Sequence, residues 1–115
     1  MEAIKKEAVQ AALDRFKDQD LYLHLETTNG AYTGYNDQSQ LSVGAYIRNG
    51  KIRFSLGKIT GDGPFRVGLK IEGGWVYTEG LTDWELDDEG RLLLAGHNFE
   101  GKLAAALELS HKPFE

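Results

Sequence analysis

His24 and Glu26 lie two positions apart in LYLHLETT, so in an extended chain the imidazole and the carboxylate point to the same side. Such a pair has the makings of an acid-base couple, or of part of a metal site completed by a third group such as His97. Only three histidines occur, and neither HExxH nor any comparable ligand spacing is present, so no metal site and no cofactor is expected. A second set mixes rings with cations: Tyr22, Tyr46, Arg48, Arg53 and Arg66, with Lys70 beside them. Aromatic faces next to guanidinium forks suit an anionic or sugar-like ligand through stacking and paired hydrogen bonds. Together with His24 and Glu26 they form the candidate ligand-binding face. The plainer reading of the same residues is a solvated sheet face whose long polar chains cover apolar area.

The segment TGDGPFRVG, residues 60 to 68, has the glycines of a phosphate loop but neither a GK[ST] ending nor a following helix, because FRVGLKI continues at period two. It reads as turn chemistry. Glu26, Glu72 and Glu79 fall on extended segments, but nothing in the spacing pairs two carboxylates across a cleft. Asp83, Glu85, Asp87, Asp88 and Glu89 cluster about a turn, and no serine sits in a GxSxG elbow. No catalytic residue is assigned, and a binding module is expected rather than an enzyme. The alternative is a small hydrolase or isomerase using His24 and Glu26.

These residues must be positioned by sheet. Ile4, Ala8, Val9, Ala12, Leu13 and Phe16 recur at helical spacing and predict one amphipathic helix over 3–17. From residue 20 to 111 the period becomes two. Leu21, Leu23 and Leu25 share one face, and Asn29-Gly30 predicts a hairpin turn. Leu41, Val43, Ala45 and Ile47 predict a strand joined through a second turn, Asn49-Gly50, to a partner carrying Ile52, Phe54 and Leu56. The phase slips at Gly57, as a bulge would make it. Further strands are expected over Phe65–Ile71, Trp75–Leu81, Trp84–Leu86 and Arg91–Ala95, with turns at Gly73-Gly74 and at Asp87 to Gly90. Leu103 to Leu109 predicts a last strand, although its propensity also permits a short helix. The expectation is one mainly β domain over 1–115: an antiparallel meander curled into a closed or nearly closed barrel, with one N-terminal α-helix.

The 115 residues suit a single core, and the absence of cysteine excludes a disulfide framework. A net charge of -5 repels nucleic acid unless the cations gather on one face, so no nucleic-acid partner is expected. The N-terminal stretch lacks a secretory apolar core, and no run reaches membrane-spanning length, so a cytoplasmic protein without membrane attachment is expected. Trp75 and Trp84 are large for a small core, which predicts a homodimer with a tryptophan at its interface.

LHLETT at 23–28, AYIRNGK at 45–51, GPFRVGLK at 63–70, GWVYTEGLT at 74–82, RLLLAGH at 91–97 and HKPF at 111–114 together resemble the YojF family, a small group from Bacillus and its relatives with no assigned activity. The resemblance spans nearly the whole chain and implies a mostly β cytoplasmic protein. It further implies association with a zinc-dependent, LmbE-type deacetylase of low-molecular-weight thiol synthesis. The zinc chemistry would belong to that partner, since this chain lacks its acidic and histidine motifs.

Overall fold

The computed structural model describes residues 1–28 and 43–115. The Asn29-Gly30 turn and the placement of Leu41 lie outside the described residues. The chain opens with β1 (Glu2–Ala3) and α1 (Lys6–Phe16), then runs through β2 (Leu21–Thr28), β3 (Val43–Ile52), β4 (Leu56–Thr60), β5 (Phe65–Ile71) and β6 (Gly74–Leu81). It finishes with β7 (Asp83–Leu86), β8 (Leu92–His97) and β9 (Leu103–Ser110). The helix forms where expected and buries Val9, Ala12, Leu13 and Phe16. It starts later than residue 3 because Glu2 and Ala3 pair with Trp84 and Asp83 of β7. The last apolar stretch is a strand, because Leu107 and Leu109 gain burial between β2 and β8 that an isolated short helix would lack.

The fold is mainly β and every pairing is antiparallel, but among the described residues no sheet closes into a barrel. Six strands form one sheet in the order β1-β7-β8-β9-β2-β3, and three form another in the order β4-β5-β6. The chain changes sheet twice. Around Phe54 it leaves β3 for β4, and after Leu81 the Thr82 amide donates to the Ala95 carbonyl, so that β7 joins the larger sheet. At that second corner β6 stacks on β8 without pairing to it. A Cβ on Gly96 would overlap the carbonyl of Gly80, so only glycine admits the crossing.

Between the sheets lies one core. Leu21, Leu23, Leu25, Leu92, Leu94, Leu107 and Leu109 face Ile59, Val67, Leu69 and Leu81, with α1 and Phe54 closing one end. Trp84 packs against this cluster, whereas Trp75 is 42% exposed.

The predicted Asn49-Gly50 hairpin is not formed. β3 runs straight through those residues and pairs with β2, Leu23 standing opposite Gly50 and Leu25 opposite Ile47, so that the register shifts by a bulge. Only Asn49 of the pair takes a positive φ, of 58°, where a two-residue hairpin of this type needs both. Ala45 and Ile47 stand opposite Thr27 and Leu25 and so share the face of the core leucines, but β3 is the outermost described strand of its sheet and leaves them outside the core, Ile47 being 40% exposed. Leu56 is also exposed, because the chain turns over between Phe54 and β4 and sends Gly57 and Ile59 inward instead.

Candidate functional site

Opposite the core, the outer face of the six-stranded sheet carries rows set by strand register. Leu93, Glu108 and His24 stand side by side across β8, β9 and β2, and the next row runs Ala95, Ala106, Glu26 and Tyr46. Tyr22 lies on the same face between Ser110 and Lys51. The bulge in β3 places two residues, Arg48 and Asn49, opposite His24 alone.

His24 is 7% exposed and has partners on both ring nitrogens. Its Nδ1 is 3.3 Å from Arg48 Nη1, and its Nε2 is 3.3 Å from Glu26 Oε1. A guanidinium can only donate and a carboxylate can only accept. Nδ1 therefore accepts from Arg48, and Nε2–H donates to Glu26. The Tyr46 ring meets the imidazole edge-on, with centroids 5.4 Å apart. Neither ring nitrogen is left over to serve as base or ligand, so the group reads as a clamp that aims Arg48.

Residues 111–115 fold back over this face. Phe114, 6% exposed, is held through its backbone: its N–H donates to Asn49 Oδ1 at 2.6 Å and its carbonyl accepts from Asn49 Nδ2 at 2.7 Å. The left-handed bulge residue thus grips the returning chain with its carboxamide. Arg48 lies 5.3 Å and Arg91 6.0 Å from the Phe114 ring centroid, and Arg48 also donates to the Glu115 carbonyl. Beside this strap opens a groove of ≈890 Å³ lined by Arg48, Arg91, Leu93, Glu108, Lys112 and Phe114 among others.

Arg91 is aimed by its own turn. Asp87 accepts from the Glu89 and Arg91 amides at 2.9 Å and, through Oδ2, from Arg91 Nε at 2.6 Å. Burial raises the Asp87 carboxyl, but the Arg91 amide, the Arg91 guanidinium and the Glu89 amide together hold it below the usual carboxylate range. The hydrogen bond to Asp87 in turn holds Arg91 firmly cationic.

The remaining expected residues fall elsewhere. Arg53 lies beyond the end of β3 and pairs with Asp20 at 3.2 Å. Arg66 and Lys70 are on β5 of the smaller sheet, Arg66 pairing with Glu79 at 3.0 Å. The face proposed from alternation is therefore two faces on two sheets, because the chain crosses between sheets at Phe54. His97 is not near His24 either: its Nδ1 meets Asp83 Oδ2 at 2.8 Å. A hydrogen bond from the Thr82 hydroxyl, at 2.9 Å, is the main reason the Asp83 carboxyl is lowered, with His97 adding to it against the effect of burial. Among the described residues no three histidine or carboxylate groups are placed to hold a metal.

Alternation did not single out Asn49, Arg91, Leu93, Glu108 or Phe114. Arg91 directly follows the acidic turn and Phe114 ends HKPF, but only the returning tail makes them neighbours.

A curated relative, the uncharacterized protein YojF of Bacillus subtilis (strain 168), is 54% identical over 114 residues, covering 99% of this chain and 98% of the relative. The crystal structure of the Bacillus subtilis YojF protein superposes with a TM-score of 0.83 at 52% identity, covering 99% of this chain and 96% of that one. The family model for a protein of unknown function, DUF1806, matches residues 3–114, and with that match the chain belongs to this family.

Proposed function

We propose that the chain is a non-enzymatic binding module whose ligand seats in the groove between the six-stranded sheet and the returning tail. One observation carries this reading: Arg48 and Arg91 are both held in place by buried or hydrogen-bonded partners, yet both border an open groove beside an aromatic ring. Orienting long cationic chains costs rotamer entropy, which a solvated sheet face gives no reason to spend. Arg48 suits a carboxylate or phosphate, and Glu108 suits hydroxyl or amine groups, so the ligand class is a small anionic or sugar-like molecule.

A thermal-shift screen of carboxylates, sugar phosphates and small thiols tests this. A ligand present at a hundred times its Kd adds about 2.7 kcal/mol. Arg48→Ala is expected to abolish that shift, and no shift from any compound would remove the reading.

The acid-base alternative on His24 and Glu26 is less well supported, since both imidazole nitrogens are engaged. We further propose, on the family resemblance, an association with the LmbE-type deacetylase, and a homodimer as its simplest assembly. Co-purification with that enzyme and light-scattering chromatography test the two. A cytoplasmic setting is part of the same proposal, supported by the absence, among the described residues, of any helix long and apolar enough to cross a membrane.

A further inference from the structure

The outer face of the three-stranded sheet carries features that the groove does not use. Of the 13 cations in the chain six lie between residues 43 and 81, against three of the 18 acids. The charge that disfavours a polyanion overall is therefore unevenly spread, and register brings three of those cations onto this one face. Its rows are Leu56, Lys70 and Trp75, then Lys58, Gly68 and Tyr77, then Thr60 and Arg66. Lysines and arginine thus occupy β4 and β5, and both aromatic rings occupy β6.

The rings are ordered although exposed. Trp75 and Tyr77 stack with centroids 5.5 Å apart and planes 10° from parallel, and the Arg66 guanidinium lies 5.4 Å from the Tyr77 centroid. Gly68 makes room for this ladder, since a Cβ there would come within 2.6 Å of the Tyr77 ring. Trp75 and Tyr77 nonetheless remain 42% and 53% exposed, on an open face and not in a cavity.

We propose that this face binds single-stranded nucleic acid, with bases stacking on Trp75 and Tyr77 and phosphates running along Lys58 and Lys70. A π-face accepts any base, and a line of cations beside it neutralises the backbone. Arg66, already paired with Glu79, orders Tyr77 and is not counted among the phosphate contacts. Charge decides between this occupant and a second copy of the chain, because a copy docked face to face would set Lys58 and Lys70 against like charges. The proposal does not depend on the groove.

The test is fluorescence anisotropy of a labelled oligothymidylate of about 15 nucleotides, a length within reach of one sheet face. Saturable binding that weakens with salt is expected. Trp75→Ala and Tyr77→Ala are each expected to weaken it on the order of tenfold or more. Lys58→Gln and Lys70→Gln should each flatten the salt slope by about 0.7. All four side chains point outward, so melting temperatures serve as the folding control. The proposal is overturned if the probe does not bind, if the aromatic variants bind like the parent, or if polyglutamate displaces the probe as well as unlabelled oligonucleotide does. It is equally overturned if the parent chain is a dimer that Trp75→Ala turns into a monomer.

Discussion

Gln10 shows how much one side chain decides. β4 is the outer strand of the smaller sheet, and its free edge faces α1. The Gln10 carboxamide closes that edge as a further strand would, accepting from the Ile59 amide at 3.1 Å and donating to the Gly57 carbonyl at 2.8 Å. Gln10→Ala leaves both groups part-buried without partners and is expected to cost about 1–3 kcal/mol, read as a lower urea midpoint with an unchanged slope. Gln10→Glu keeps the acceptor for Ile59 but sets a carboxylate oxygen against the Gly57 carbonyl and the Asp14 carboxylate, so it should cost at least as much as Gln10→Ala. Gly96→Ala should be worse than either, because its methyl group would enter the Gly80 backbone and no side-chain movement relieves that. A parent-like melt of Gly96→Ala would show that β6 does not cross β8 in contact at Gly96.

At the scale of elements, two turns share one construction. In DDEGR the Asp87 side chain accepts from the amides two and four residues on, and in NFEGK Asn98 accepts from Glu100 and Lys102 in the same pattern. Gly90 and Gly101 supply the positive φ, of 75° and 77°, that ends each turn. The Asp87 and Asp83 carboxyls are both held below their ordinary range, so each contributes stability above the pKa of the unfolded chain and loses it as pH falls through the folded value. Stability should therefore drop below about pH 4. Asp87→Asn should flatten part of that drop, and a parent-like acid profile in the variant would show that Asp87 is not its source. The Asp87 turn was legible in the sequence because acidic residues and glycine sit between alternating runs. The β3 bulge was not, since Asn49-Gly50 carries the same letters as a hairpin turn. What decides between them is the Asn49 carboxamide bonding to Phe114, 65 residues away. Period two likewise locates nearly every strand, but it cannot say to which of two sheets a strand belongs, so alternation alone puts Arg66 and Arg48 on one face.

Across the whole molecule, the described strands form two separate sheets instead of the expected barrel, for a reason that also predicts how the chain unfolds. A barrel would take one continuous pairing around its circumference. Here Phe54 sits, fully buried, where the chain passes from one sheet to the other. Its ring approaches Gly57 of β4, and Leu13 of α1 and Leu69 of β5 crowd the same spot. Helix, small sheet and crossover are thus fastened at one place, and the leucines of the large sheet lie against that same cluster, which is the one core among the described residues. Phe54→Ala should cost about 3–5 kcal/mol and leave a cavity where three elements meet. Because the core is shared, far-ultraviolet circular dichroism and tryptophan fluorescence should still report a single coincident urea transition, moved to lower concentration. Trp75 is on the small sheet and Trp84 on the large one, so fluorescence of single-tryptophan variants follows each sheet separately. Two transitions at different midpoints, with Trp75 released before Trp84, would mean that the three-stranded sheet is a semi-independent layer and that the single core argued from burial does not couple the halves.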